Sequence, residues 1–142
     1  RVIVREQLAQ GGTALPWLDA ANFAELLLER SIAKFHAGPR GLSFYDRSFI
    51  EPLRWYRANR TPLPGHFGSV EDLRYADDVF LAPPWPEIHK ADAERRHGFD
   101  AAIEEYGALL KLFPKIGYRV HVLTKVRVAE RADFIERVLG LT

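Results

Sequence analysis

The sequence contains no cysteine. That excludes a disulfide framework and a thiolate metal site. It is compatible with the cytoplasm, which is the expected location. Methionine is also absent and the first residue is Arg1, so a segment upstream of Arg1 is expected. No stretch approaches the ~20 apolar residues of a membrane span, and no signal-peptide pattern opens the chain, so no membrane partner is expected. An excess of one charge is missing as well. Twenty basic residues stand against 19 acidic ones, a formal net charge of +1. No face is visibly supplied with surplus cation, and nothing calls for a nucleic-acid partner.

What is present is ordinary globular material. A chain of 142 residues, 47% hydrophobic and 27% charged, reads as one domain with enough apolar surface for a real core. Val2-Ile3-Val4 is β-branched, but Arg5 to Gln10 favours helix and Gly11-Gly12 supplies a stop, so a helix is expected over residues 2–10. Asp19 is placed to cap a helix running to about His36, stopped by Gly38-Pro39. Its apolar positions recur at three and four, as Phe23, Leu27, Ser31 or Leu28, Ile32, Phe35. Residues 49–59 read as a helix with Pro52 in its first turn. Residues 61–68 read as a loop, and 69–72 as a short capped helix.

Strands are expected at 42–45, 78–82 and 118–123, the last alternating enough to lie near a sheet edge. A long helical stretch is expected over 91–112, with a break at His97-Gly98 as an alternative. Phe99, Ile103, Tyr106, Leu110 and Phe113 form its apolar stripe, and Pro114 and Gly117 its end. A last helix covers 128–140, with Ala132, Ile135, Val138 and Leu139 inward. Strands alternating with helices imply right-handed crossovers and a parallel sheet. Three strands are few for such a sheet, a second sign that one precedes Arg1.

The most informative feature is the apolar run Leu42-Ser43-Phe44-Tyr45, which stops at Asp46-Arg47. In an open α/β sheet the carboxyl ends of strands border the ligand crevice. Asp46 offers a hard oxygen ligand for Mg²⁺, and Arg47 a forked cation that suits phosphate. A surface ion pair at a strand end is the plainer alternative. The second charged cluster is Asp92-Ala93-Glu94-Arg95-Arg96-His97. On a helix Asp92 meets Arg95 and Arg96 at i+3 and i+4, so structural salt bridges compete with a lid whose arginines close over a transferring phosphoryl group.

The five histidines show no zinc-hydrolase spacing. Ser43 lacks the setting of a nucleophile elbow. Trp55-Tyr56 and Pro83-Pro84-Trp85-Pro86 read first as core and punctuation, with a direct ligand role for Trp85 as the lesser possibility.

Arg5-Glu6-Gln7-Leu8, the stretch Gly11 to Asp19, Phe23 to Arg30, Phe44-Tyr45-Asp46-Arg47, Val79 to Ile88 and Asp92 to His97 together resemble a group of AAA-type P-loop ATPases. That group includes the ribosylnicotinamide kinase domain and is similar in layout to nucleoside and nucleotide kinases. The resemblance covers essentially the whole chain in order. It implies a three-layer α/β fold with a parallel sheet of the P-loop NTPase type, whose first strand, P-loop and first helix precede residue 1. Residues 1–142 would then be a single domain, with 87–113 a candidate lid and following helix.

One departure is plain. No G-x-x-x-x-G-K-[ST] occurs, and Gly11-Gly12-Thr13 is too short and carries no Lys. The chain alone is therefore expected to bind ATP weakly or not at all and to be inactive by itself. For the complete protein the resemblance implies an ATP-dependent small-molecule kinase, with ATP as substrate, Mg²⁺ as cofactor and a small polar acceptor. Asp46 would be catalytic and hold the metal, directly or through water. Arg95 would be catalytic, and Arg1, Arg47, Arg95 and Arg96 would contact substrate or phosphate. The alternatives are a nucleotide-dependent switch or partner-binding module with slow hydrolysis, and a non-catalytic fragment of such a domain.

Overall fold

A computed structural model describes residues 1–88 and 98–141. The chain resolves into two compact units, Arg1–Arg74 and Tyr75–Thr142.

The described residues of the first unit are helical, with α1 over Val2–Gln10, α2 over Ala20–Ala37 and α3 over Ile50–Ala58, plus single 3₁₀ turns at Gly65–Phe67 and Val70–Asp72. The β-branched start of α1 does not make a strand, because Ile3 and Val4 are buried as one side of a helix that packs on α2. Gly11 ends that helix at φ 66°, a left-handed conformation that glycine adopts without steric cost. The Gln7 side chain then folds over the turn, its Oε1 accepting from the Ala14 N–H at 3.2 Å. A Cβ on Gly12 would sit 2.0 Å from that oxygen, so the second glycine clears the path. Glu6 and Arg30 pair at 2.5 Å between α1 and α2.

Helix α2 starts where the sequence indicates. The Asp19 carboxylate accepts from the Asn22 N–H at 3.1 Å and satisfies one of the free donors of the first turn. Its inner face carries Ala24 and the fully buried Leu28. Helix α3 packs on α2. Phe49, just before α3, is fully buried and lies edge-on to Phe35 at 5.4 Å.

The expected strand at 42–45 is not formed. The segment is irregular, and Leu42 and Phe44 are 55% and 65% exposed rather than buried. A strand exists only through its ladder, and no strand occurs in this unit among the described residues for the segment to pair with. Gly41 at φ 98° and Arg47 at φ 71° bracket it with turns instead. Tyr45 folds back so that a Cβ on Gly38 would lie 2.2 Å from its hydroxyl.

The second unit holds β1 (Asp78–Leu81), a 3₁₀ turn at Pro86–Ile88, α4 (Phe99–Lys115), β2 (Arg119–Val122) and α5 (Val128–Val138). The strands run parallel in the register Asp78 to Arg119 through Leu81 to Val122. This is a β-α-β unit, and the chain is mixed α/β with a small two-stranded parallel sheet among the described residues. Helix α4 packs on both strands.

Three helical details differ from expectation. Of the expected α4 stripe Phe113 is buried and Phe99 and Tyr106 are half-buried, while Ile103 and Leu110 face solvent and Leu109 takes the inner place beside them. Pro114 lies inside the last turn of α4, and the backbone closes on Gly117 at φ 92°. On α5, Ala132 is exposed and Phe134 turns inward instead, edge-on to Phe80 at 6.4 Å.

Candidate functional site

In the first unit the Asp46-Arg47 pair stands at the entrance to α3 rather than at a strand end. Both residues are exposed. Arg47 takes the left-handed conformation, which for a residue with a Cβ costs about 1 kcal/mol.

The turn that follows is organised by Glu51. The Ser48 N–H donates to Glu51 Oε2 at 2.9 Å, the Ser48 hydroxyl donates to the same oxygen, and the Ile50 N–H donates to Ser48 Oγ at 3.1 Å. Burial pushes the Glu51 carboxyl above the ordinary glutamate range; the Ser48 hydrogen bonds and the Arg47 charge oppose the shift without cancelling it. The arrangement is a reciprocal helix cap that fixes the chain just after Asp46-Arg47 and leaves those two side chains outward. Sequence reasoning missed it, though Ser48-Phe49-Ile50-Glu51 is a legible S-x-x-E signature. Chemically, the entrance to α3 offers one outward carboxylate beside one permanent cation.

Of the other expected site residues, Arg1 is exposed at the start of α1. Arg95 and Arg96, with Asp92, lie outside the described residues.

The second unit has two charged arrangements that were not anticipated. At the amino end of β1, the Asp78 carboxylate accepts from Arg119 Nε and Nη2 at 3.0 and 3.1 Å, and meets His121 Nε2 at 2.8 Å. The parallel register puts Asp78 opposite Arg119, and the two-residue period of a strand brings His121 to the same side. His121 also stacks on Phe80 at 5.1 Å. The Arg119 and His121 hydrogen bonds hold the Asp78 carboxyl down at about 2.

At the carboxyl end of the sheet, β1 runs into Ala82-Pro83-Pro84-Trp85, and β2 runs through Leu123 to Arg127 into α5. There the Arg131 guanidinium lies over the Trp85 ring, 5.9 Å from its centroid. Among the described residues, no group of three or more His, Cys, Asp or Glu side chains converges as a metal cluster. No helix there is long and apolar enough to cross a membrane.

A β-α-β unit with a parallel sheet, its crossover helix packed on both strands, is compatible with the parallel α/β architecture of P-loop proteins. A family model described as "AAA domain" matches residues 1–131, and the chain belongs to that family. AAA domains are of the P-loop, nucleotide-binding type. No curated protein and no solved structure matches the chain.

Proposed function

We propose that this chain works in an ATP-dependent P-loop kinase that transfers the γ-phosphoryl group to the hydroxyl of a small, polar, nucleoside-like acceptor. The observation that carries the proposal is the AAA-domain match, which runs over nearly the whole chain. The Asp-Arg pair at the entrance to α3 supports it, since its exposed carboxylate and cation are the types such chemistry needs. In this proposal Asp46 takes the acceptor proton or holds Mg²⁺, directly or through water. One carboxylate is a fitting protein contribution, because Mg²⁺ keeps several waters and binds phosphate oxygens for the rest. The metal supplies neutralisation of phosphoryl charge. Arg47 and Arg1 steady phosphate or substrate, and Arg95 and Arg96 clamp the phosphoryl oxygens, where cationic donors help most as charge develops.

The test uses the natural full-length protein with Mg-ATP and a panel of nucleosides, and follows products by mass spectrometry. A phosphorylated nucleoside is expected, and Asp46→Asn should lower kcat about 10²-fold while the fold persists. Slow release of ADP and phosphate with no phosphorylated acceptor would point to the nucleotide-dependent switch instead. Alanine at Arg95 or Arg96 should depress kcat more than it weakens ATP binding. A loss of melting temperature with intact kcat would make these arginines helix salt-bridge partners only.

A further inference from the structure

We propose that Trp85 and Arg131 form an anion site at the carboxyl edge of the β1–β2 sheet, taking a phosphate or carboxylate group of a small ligand. Three observations converge on it. The first is placement. Trp85 lies in the turn that leaves β1, and Arg131 in the first turns of the helix that follows β2. Both therefore belong to the edge where parallel α/β sheets receive ligands.

The second is an unsatisfied donor. Arg131 Nε is fully shielded from water and has no hydrogen-bond partner among the described residues. Shielding a charged donor without an acceptor costs more than shielding a neutral one, so native structures leave few of them. The Trp85 ring accounts for the position of the guanidinium, through the attraction of a cation to the ring face at 5.9 Å. It does not accept the Nε proton as an oxygen would. A planar fork held on an aromatic ring is well suited to take a carboxylate or phosphate through two parallel hydrogen bonds.

The third is local charge. From Thr124 to Arg131 the chain carries Lys125, Arg127 and Arg131 against the single acid Glu130. That acid is engaged: Glu130 Oε2 accepts from the Arg127 N–H at 3.1 Å, and Oε1 meets the Arg127 guanidinium at 3.5 Å. Glu87, two residues beyond Trp85, is the nearest acid in sequence on the other side of the site. With Glu130 engaged by Arg127, Lys125 and Arg131 stand against Asp133, two residues beyond Arg131, and Arg131 is the cation set over an aromatic ring. None of the residues expected to handle phosphate in the proposed kinase belongs to this site, so it stands or falls separately.

The experiment follows the Arg131 side-chain Nε–H signal by ¹⁵N–¹H NMR, because a donor shielded from water exchanges slowly enough to be seen. Inorganic phosphate is titrated in one arm, acetate and citrate in a second, and AMP in a third. A saturable shift with phosphate at millimolar affinity is expected, weakened at least about tenfold by Arg131→Lys, which keeps charge but loses the fork, and by Trp85→Leu. The phosphate and carboxylate arms identify which group the site prefers, and AMP tests whether the phosphate is borne by a nucleotide. Backbone signals elsewhere in the second unit report that the variants remain folded. Absence of a saturable Nε shift with all three probes overturns the proposal, as does an unchanged affinity in Arg131→Lys. Loss of kinase activity in the full-length protein would leave these shifts in place and so bears only on the proposed function.

Discussion

Replacing Asp78 with Asn isolates the electrostatic contribution of one cross-strand network. The Asp78 carboxylate receives two hydrogen bonds from Arg119 and one contact from His121, all on the only described strand pair. Its carboxyl is held at about 2 against an ordinary 3.8. A depression of that size corresponds by linkage to roughly 2 kcal/mol of stability before screening is counted. The Asp78 side chain is only 18% exposed, but its Arg119 partner is 67% exposed and screened by water. A net value of about 1 kcal/mol is the better expectation.

The sign follows from the depressed acid. The stabilisation is fully present above the unfolded value of 3.8 and is lost as pH falls through about 2. Urea unfolding of wild type and Asp78→Asn at a series of pH values should therefore show a gap of ~1 kcal/mol at pH 7 that closes towards pH 2. A double-mutant cycle with Arg119→Ala should recover most of the gap as coupling between the two residues. A gap that persists unchanged in strong acid would falsify the ionic account and leave packing of the side chain as the cause.

The remaining predictions concern the first unit. Glu51 has its carboxyl raised by burial, so its contribution is most favourable below the unfolded value of 4.5 and is lost as pH rises through the higher folded value. Glu51→Gln should accordingly hold or raise the melting temperature at pH 7 while keeping the cap, whereas Glu51→Ala should cost about 1 kcal/mol in urea unfolding. Phe49 is fully buried against Phe35, and Phe49→Ala should cost about 3–5 kcal/mol, read as loss of cooperative unfolding of residues 1–74 by hydrogen exchange. Arg47→Gly should raise stability by up to about 1 kcal/mol through relief of its left-handed backbone, and a lowered melting temperature would show that the side-chain contacts outweigh the strain.

Local signals in the sequence were enough to place the helices. Gly11-Gly12, the Asp19 cap, Gly38-Pro39 and Gly117 are start and stop devices whose physics is confined to a few neighbouring residues, and the end of α1, both ends of α2 and the end of α4 fall within a residue or two of them. The β-branched runs at 78–82 and 118–123 likewise announced β1 and β2. The segment 42–45 shows the limit of the same reasoning. Its apolar content allowed a strand, but a strand needs the hydrogen bonds of a neighbour, and composition cannot supply one.

The face of a helix is also a tertiary matter. Spacing showed that α4 has an apolar stripe, yet its packing on β1 and β2 selected Leu109 and Phe113 and left Ile103 and Leu110 in solvent. Candidate chemistry divides the same way. Asp46-Arg47 was visible because its two members are adjacent, as was the AAA-type character carried by motifs along the chain. Asp78 and His121 lie 43 positions apart, and Trp85 and Arg131 sit on different elements, so neither pairing exists until the parallel register and the packing of α5 bring them together. Propensities, caps and breakers act over one or two turns and can be read from the chain. Pairings across elements depend on which surfaces the fold presses together, and only the tertiary structure decides that.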